Sequence, residues 1–205
     1  MITLYGSPYT RSFRALWALE EAGLSYEYRK INIGSHEENG SQTSEYKAIN
    51  SQGKVPTLVD GDLVITESAA IVNYIAALVP QKKLIPLDDA VLRAKYDDIC
   101  FFVLSDLEQP LWTYSKHRFI LPENLRLPAI NETVKYEFAK SLAALQEHLG
   151  DNSFAINNQF SMADILIAHT LQWARSAKFK VPRTLSDYAN LIYQRSACQR
   201  ALLKA

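Results

Sequence analysis

The sequence has little of what marks several common protein classes. It contains two cysteines among 205 residues, Cys100 and Cys198, which are too far apart for a CxxC pair or a compact metal motif. Its 22 basic and 22 acidic residues balance, so no overall field favours nucleic acid, a membrane surface or an acidic partner. We therefore expect reduced structural cysteines, no metal, and neither a nucleic-acid nor a membrane partner.

Long apolar runs are missing as well. No stretch approaches the about 18 apolar residues of a membrane span, and the N-terminus, MITLYGSPYTRSF, lacks the charged and apolar regions of a signal peptide. These absences predict a cytoplasmic protein. Apolar residues make up 48% of the chain and charged residues 21%, which is typical of a globular protein with a sizeable core.

The first 80 residues alternate between strand and helix patterns. Ile2 to Tyr5 reads as a strand, Phe13 to Leu19 as a helix that ends at Gly23, and Tyr26 to Ile33 as a second strand. The polar residues after it predict a loop, with a short helix around Ser44 to Ile49. This order predicts an α/β domain with a mixed sheet.

Residues 50–78, NSQGKVPTLVDGDLVITESAAIVNYIAAL, are the most informative stretch. Val55 to Val59 and Asp62 to Ile65 are β-rich, and Asp60-Gly61 between them suits a two-residue hairpin turn. Thr66 stands where a helix N-cap is expected, before a helical apolar stripe. The stretch predicts a hairpin followed directly by a helix.

Pro56 suggests that this hairpin binds a ligand. Proline cannot donate to a strand ladder, and it holds Val55 extended, which leaves the peptide groups of Val55 free for a peptide-like ligand. The helix start suits a carboxylate held by Ser68, and Glu67 suits an ammonium group. The pattern favours a small peptide with an α-amino acid end; the alternative is an ordinary edge hairpin with a capped helix.

The second half of the chain has helical periodicity only. Pro80 and Pro86 bracket a charged stretch, which predicts a linker at 81–87 between a domain at 1–80 and another at 88–205. Apolar residues then step by three or four along a long helix (Leu92, Tyr96, Ile99, Val103, Leu107, Leu111, Tyr114) and along a second (Val134, Phe138, Leu142, Leu145, Leu149). This half is expected to be a helical bundle, and a further helix around Tyr188 (with Leu191 and Ile192) is expected to close the chain.

Ser161 and Asp164 form an S-x-x-D capping box at the start of an apolar helix. Asp164 and His169 could suggest an acid–base pair, but residues five apart on a helix do not face each other. We interpret Asp164 as a structural cap and His169 as a buried histidine with satisfied hydrogen bonds.

The segment GKVPTL, the Asp-Gly hairpin and the Glu-Ser pair together resemble the glutathione transferase family, and the motif at Ser161 extends the resemblance to the second half. The resemblance implies a thioredoxin-like N-terminal domain (βαβ-α-ββα) and an all-helical C-terminal domain. It also implies glutathione as co-substrate, no metal, and a homodimer. The glutathione contacts implied are Gln42, Lys54, Val55, Pro56 (with a cis peptide bond), Glu67 and Ser68.

The resemblance also implies a hydroxyl that stabilises the glutathione thiolate at the start of the first helix. Counting back four residues from Arg14 places Thr10 there, with Ser12 as the second candidate. Ser7, Tyr9 and Tyr5 remain alternatives if the loop is displaced, and Thr10 could instead be only the N-cap of the helix. No cysteine stands in this stretch, which argues against mixed-disulfide chemistry with glutathione.

The family resemblance predicts attack of the thiolate on a small hydrophobic electrophile, held by Tyr9, Gln109 and Trp112. The competing hypothesis is a catalytically weak or inactive binding or regulatory module, because Thr10 replaces a serine and Gln42 a lysine found in many relatives. Glutathione-dependent isomerase, dehalogenase and peroxidase activities are the alternatives to conjugation within the enzyme hypothesis.

Overall fold

The computed structural model describes residues 1–205, and the chain divides into two compact units. The first unit comprises residues 1–87 and 193–205, and the second comprises residues 88–192. No helix in either unit combines the length and apolar character needed to cross a membrane.

The first unit is built on a four-stranded sheet. Its elements are β1 (Ile2–Gly6), α1 (Ser12–Ala22), β2 (Tyr26–Lys30), α2 (Ser44–Ile49), β3 (Thr57–Asp60), β4 (Leu63–Ile65) and α3 (Ser68–Ala77). The strand order is β2-β1-β3-β4, with β1 parallel to β2 and the other pairs antiparallel. The predicted thioredoxin-like order of elements is confirmed, and α2 has the predicted bounds.

The hairpin and the start of α3 each differ slightly from the prediction. Asp60 pairs with Leu63, so the turn consists of Gly61 and the residue after it, and Gly61 has a φ of 60°, which glycine adopts without strain. Strand β3 begins at Thr57, after the proline. Thr66 is not the N-cap of α3, because Glu67 still has extended backbone angles and takes that position.

The second unit is entirely helical, as predicted. It contains α4 (Ala90–Phe102), α5 (Glu108–Ser115), α6 (Ile130–Leu149), α7 (Met162–Ser176) and α8 (Arg183–Tyr193), the last residue of which belongs to the first unit. A π-helical segment, Val103–Leu107, joins α4 to α5, and another, Lys116–Ile120, follows α5. The Asp89 carboxylate accepts hydrogen bonds from two backbone N–H groups at the start of α4, at 2.9 and 3.0 Å.

Helix α7 is the buried centre of this unit, since residues 162–171 are all buried. The predicted capping box is present at its start, where Asp164 accepts from the Ser161 N–H at 2.7 Å. The same carboxylate accepts from the Ala155 N–H at 2.8 Å and from the Tyr188 hydroxyl at 2.5 Å. Burial raises the pKa of both Asp164 and Tyr188, although the hydrogen bonds lower that of the aspartate. Asp164 therefore has a structural role and joins three segments of the unit.

The two compact units differ from the predicted domains in two places. Residues 81–87 belong to the first unit: a 3₁₀ turn spans Pro80–Lys82, and Leu84 and Ile85 are buried, which a free linker would not allow. The helix expected around Tyr188 is present as α8, but it does not close the chain: a ninth helix, α9 (Ser196–Lys204), follows it and packs against α1, so the chain end joins the first unit.

Helix α9 is fastened to α1 by ion pairs. Arg195, the residue before α9, donates through Nε and Nη2 to the two oxygens of the Glu21 carboxylate, at 2.6 and 2.8 Å. Arg200 donates to Glu20 at 2.8 Å, and Lys204 donates to the other oxygen of Glu20. Both glutamates are buried at the C-terminal end of α1, where the helix dipole disfavours negative charge, so these cations are needed to offset their burial.

Candidate functional site

The peptide groups of Val55 are available to a ligand. The ladder between β1 and β3 ends at the pair of Tyr5 and Thr57, and the N–H and C=O of Val55 form no hydrogen bond within the chain. The Val55–Pro56 peptide bond is cis, as the family resemblance implies. Val55 therefore presents one free donor and one free acceptor beside the sheet.

Buried side chains that the sequence analysis missed hold the loop before Val55. The Lys54 carbonyl accepts from the Tyr46 hydroxyl at 2.6 Å and from the Asn50 amide at 2.9 Å. Tyr46 and Asn50 also each lie 3.0 Å from the Thr57 hydroxyl, so α2, the loop and the start of β3 form one network. Only the aromatic and amide character of these residues, close to the GKVPTL segment, could have indicated this role.

The start of α3 combines the positive end of a helix with the carboxylate of Glu67. Ser68 is the first helical residue and is buried, while Glu67 is exposed and makes no capping hydrogen bond to the helix. The first-turn N–H groups of a helix have no intrahelical partner and favour an anion. Arg14 of α1 is fully buried, and its Nη1 lies 3.4 Å from the Ser68 hydroxyl oxygen. An anion close to Ser68 and a cation beside Glu67 would suit this arrangement.

Gln42 and Lys54 lie near each other on the loops before β3. The Gln42 amide nitrogen lies 3.3 Å from the Ser41 hydroxyl and 3.5 Å from the Gly53 carbonyl. The Lys54 ammonium is exposed and donates to the Gln52 side chain at 2.8 Å. The cation of Lys54 is thus accessible to a carboxylate.

The loop before α1 contains a closed set of hydrogen bonds. The Thr10 hydroxyl oxygen lies 2.7 Å from the Ser7 carbonyl and 2.8 Å from the Ser12 hydroxyl, and it accepts from the Ser12 N–H at 3.1 Å. The Ser12 hydroxyl also accepts from the Ser7 N–H at 3.1 Å. Arg11, not Thr10, occupies the N-cap position of α1. Thr10 therefore has one hydroxyl proton for two nearby acceptors.

The candidate hydroxyls differ in accessibility. Ser12 is fully buried against Gly6, where an added Cβ would approach the Ser12 Cβ to 2.8 Å, whereas Thr10 is only partly buried. The Tyr5 hydroxyl accepts from Arg29 at 3.3 Å. Tyr9 is fully exposed and has a φ of 59°, an uncommon conformation for a residue with a side chain.

The residues predicted to hold an electrophile come from both units. Tyr9 belongs to the first unit, whereas Gln109 and Trp112 lie on α5 of the second. Gln109 is exposed and donates to the Thr113 hydroxyl at 3.2 Å, and Trp112 is partly buried.

The two cysteine thiols and the acidic side chains are the remaining candidates for reactive or metal-binding groups. Cys100 and Cys198 are buried and unpaired, and burial raises the pKa of each thiol to about 12. No cluster of three or more His, Cys, Asp or Glu side chains is placed to hold a metal ion. Neither thiol is therefore in a form that reacts readily as a thiolate.

Comparisons with known proteins agree with this geometry. The family profile described as "Glutathione S-transferase, N-terminal domain" matches residues 1–77, and "Glutathione S-transferase, C-terminal domain" matches residues 128–192. A "Glutathione S-transferase zeta class" from Euphorbia esula is 31% identical over 84% of this chain and 75% of its own length. "Glutathione S-transferase 1" from Dianthus caryophyllus is 30% identical over 92% of this chain and 87% of its own.

A solved structure gives the same result at the level of the fold. The glutathione S-transferase of a sphingomonad, complexed with glutathione, superposes with a TM-score of 0.86 at 27% identity, over 98% of each chain. With both halves of the sequence matched, the chain belongs to the glutathione S-transferase family and is a glutathione S-transferase with glutathione as its co-substrate.

Proposed function

We propose that glutathione lies along Val55, with its cysteinyl peptide group paired to the free N–H and C=O of that residue. Its γ-glutamyl carboxylate meets Ser68 and the start of α3, and its ammonium group meets Glu67. The glycyl carboxylate lies towards Lys54 and Gln42. The observation that carries this proposal is the unpaired peptide of Val55, because a backbone donor and acceptor beside a sheet recognise an extended peptide.

Thr10 is proposed to stabilise the glutathione thiolate. Its partial exposure favours it over Ser12, whose hydroxyl is fully buried and accepts from the Ser7 N–H. A thiolate is a stronger acceptor than the Ser7 carbonyl, so the Thr10 proton turns from that carbonyl to the sulfur when glutathione binds. The positive end of α1 adds to the stabilisation. The thiolate then attacks a small hydrophobic electrophile.

We further propose that the enzyme acts as a cytoplasmic homodimer, as the family resemblance implies. A second candidate function is that of a binding module with little catalysis. It is favoured by the two acceptors already close to the Thr10 hydroxyl, because a hydroxyl kept in those contacts would leave the sulfur without a donor.

Calorimetric titration with glutathione and conjugation of a chloronitrobenzene test the two functions together. We expect wild type to bind and turn over, Thr10→Ala to lose about tenfold or more in kcat with nearly unchanged glutathione affinity, and Ser12→Ala to retain most of the rate if it folds. Thr133→Ala, at an exposed position of α6, is the matched control.

Full turnover by both Thr10→Ala and Ser12→Ala would show that the hydroxyl assignment is wrong. Glutathione binding without turnover on a panel of electrophiles would favour the binding module. Loss of binding in Ser68→Ala, but not in Ser44→Ala, would support the proposed position of the γ-glutamyl end.

A further inference from the structure

The connection between α5 and α6 exposes much apolar surface. Residues 116–127, KHRFILPENLRL, contain four apolar side chains that are each at least half exposed: Phe119, Ile120, Leu125 and Leu127. Scattered single apolar residues are normal on a protein surface, but a contiguous group of this size marks an interaction site.

Hydrogen bonds hold the two arms of this connection together. Arg126 donates through Nε to the Leu121 carbonyl at 2.8 Å and through Nη2 to the Phe119 carbonyl at 3.3 Å. The Leu127 N–H donates to His117 Nδ1 at 3.2 Å. These contacts place the arm that carries Leu125 and Leu127 beside the arm that carries Phe119, so the exposed apolar side chains form one patch.

Basic side chains lie near the patch. Arg118 donates to the Tyr114 hydroxyl at 2.7 Å, and the Tyr114 ring lies 5.1 Å from the ring of Phe179. Phe179 is flanked by two exposed lysines, Lys178 and Lys180, which this contact brings close to the connection. Residues 116–127 and 178–180, here named the basic tip, contain five lysines and arginines and a single acidic residue.

We propose that the basic tip docks on an anionic phospholipid surface. The apolar side chains enter the interfacial layer while the lysines and arginines meet the lipid phosphates, the combination that peripheral membrane proteins use. Exposed apolar side chains and basic side chains occur together in the basic tip, and this combination suits an anionic lipid interface. The balanced charge of the whole chain, from which we expected no membrane partner, conceals this local excess.

Co-sedimentation with large vesicles tests the proposal on the full-length protein. Vesicles of phosphatidylcholine containing about a third of phosphatidylglycerol are compared with pure phosphatidylcholine vesicles, at low and at high salt. We expect binding to the anionic vesicles that weakens strongly in high salt, because exposed charges are screened. The double variant Lys178→Gln/Lys180→Gln should lower the partition coefficient on the order of tenfold or more, and Phe119→Ser/Leu127→Ser by a similar factor.

Matched controls separate the tip from the rest of the surface. Leu203→Ser removes an apolar side chain that is 89% exposed on α9, and Lys47→Gln removes an exposed charge on α2. Both controls should bind vesicles like wild type. All variants should keep the wild-type melting temperature and glutathione affinity, since none of these residues belongs to the candidate site.

Three results would overturn the proposal. The first is the absence of binding to anionic vesicles at low salt. The second is binding that the tip variants leave unchanged. The third is concentration-dependent self-association in analytical ultracentrifugation that the tip variants abolish, because the patch would then be covered by a second copy of the chain.

Discussion

The ion pairs between α9 and α1 predict a specific, pH-dependent loss of stability in Glu20→Gln. The Glu20 carboxylate is buried, which opposes ionisation, but hydrogen bonds from Lys204, Tyr26 and Arg200 lower its pKa from 4.5 to about 2. The Tyr26 hydroxyl donates to it at 2.6 Å. Replacing the carboxylate by an amide keeps the shape and removes the charge that these donors stabilise.

The magnitude follows from the difference between the two pKa values. A lowering from 4.5 to about 2 corresponds to roughly 3 kcal/mol, at 1.36 kcal/mol for each tenfold change in proton affinity. Because the side chains of Arg200 and Lys204 are about half exposed, solvent screening reduces the expected loss to about 1–2 kcal/mol. A carboxylate with a lowered pKa stabilises the fold fully above pH 4.5, and this contribution is lost as the pH falls towards 2.

Urea unfolding followed by circular dichroism at pH 7 and at pH 3 measures this effect. Glu20→Gln should unfold at lower urea than wild type at pH 7, and the difference should shrink at pH 3. Glu27→Gln, which removes a carboxylate from an exposed pair with Arg29, is the control and should leave the pH 7 midpoint unchanged. Equal stability of Glu20→Gln and wild type at pH 7, or a difference that does not depend on pH, would refute this reasoning.

Two further predictions concern buried groups. Burial raises the pKa of Cys100 and Cys198 to about 12, so a thiol reagent at pH 8 should modify neither cysteine in the folded protein. Both cysteines should react after unfolding, and rapid modification in the native state would contradict their burial. Tyr188→Phe should lower the free energy of unfolding by about 1–3 kcal/mol, since it removes the hydroxyl that donates to the buried Asp164 carboxylate. Thermal unfolding measures this loss against Tyr136→Phe, an exposed control, and equal melting temperatures would contradict it.

The order of elements in the first unit could be predicted because each element carries a local signal. The short helix that was expected around Ser44 to Ile49, at the end of the polar loop, is present with those bounds. The predicted hairpin turn was one residue too early. Gly61 is compatible with a turn at Asp60-Gly61 and with a turn that begins at Gly61, and only the pairing of Asp60 with Leu63 decides between them.

The attachment of the chain end could not be predicted, because its signal lies far away in the sequence. Helix α9 buries only small side chains, Ala197, Cys198 and Ala201, so no large apolar residue marks the face that packs on α1. Its arginines are explained only by the glutamates at the end of α1, about 180 positions earlier. The adjacent glutamates at the end of α1, which the structure shows to be buried, were the one indication in the sequence that cations from elsewhere in the chain contact them.

The candidate site likewise contains residues that a local motif indicates and residues that only the fold brings together. Val55, Pro56 and Ser68 stand in one continuous motif, so the sequence and its family resemblance were enough to predict them as glutathione contacts. The residues that support them, Tyr46 and Arg14, reach the site through the fold. Only the position of Tyr46 close to the GKVPTL segment could have indicated one of these contacts. The choice between candidate hydroxyls likewise needed the burial of Ser12, which a sequence pattern does not report.

The most direct test of the proposed mechanism is the pKa of the glutathione thiol in the complex. It can be obtained by titrating the ultraviolet absorbance of the thiolate with saturating enzyme, for wild type and for Thr10→Val, which keeps the shape of the side chain and removes its hydroxyl. We predict a bound thiol pKa about 1–2 below the free value of about 8.5, and a return towards that value in Thr10→Val. The same low pKa in Thr10→Val, with glutathione binding retained, would contradict the role of Thr10.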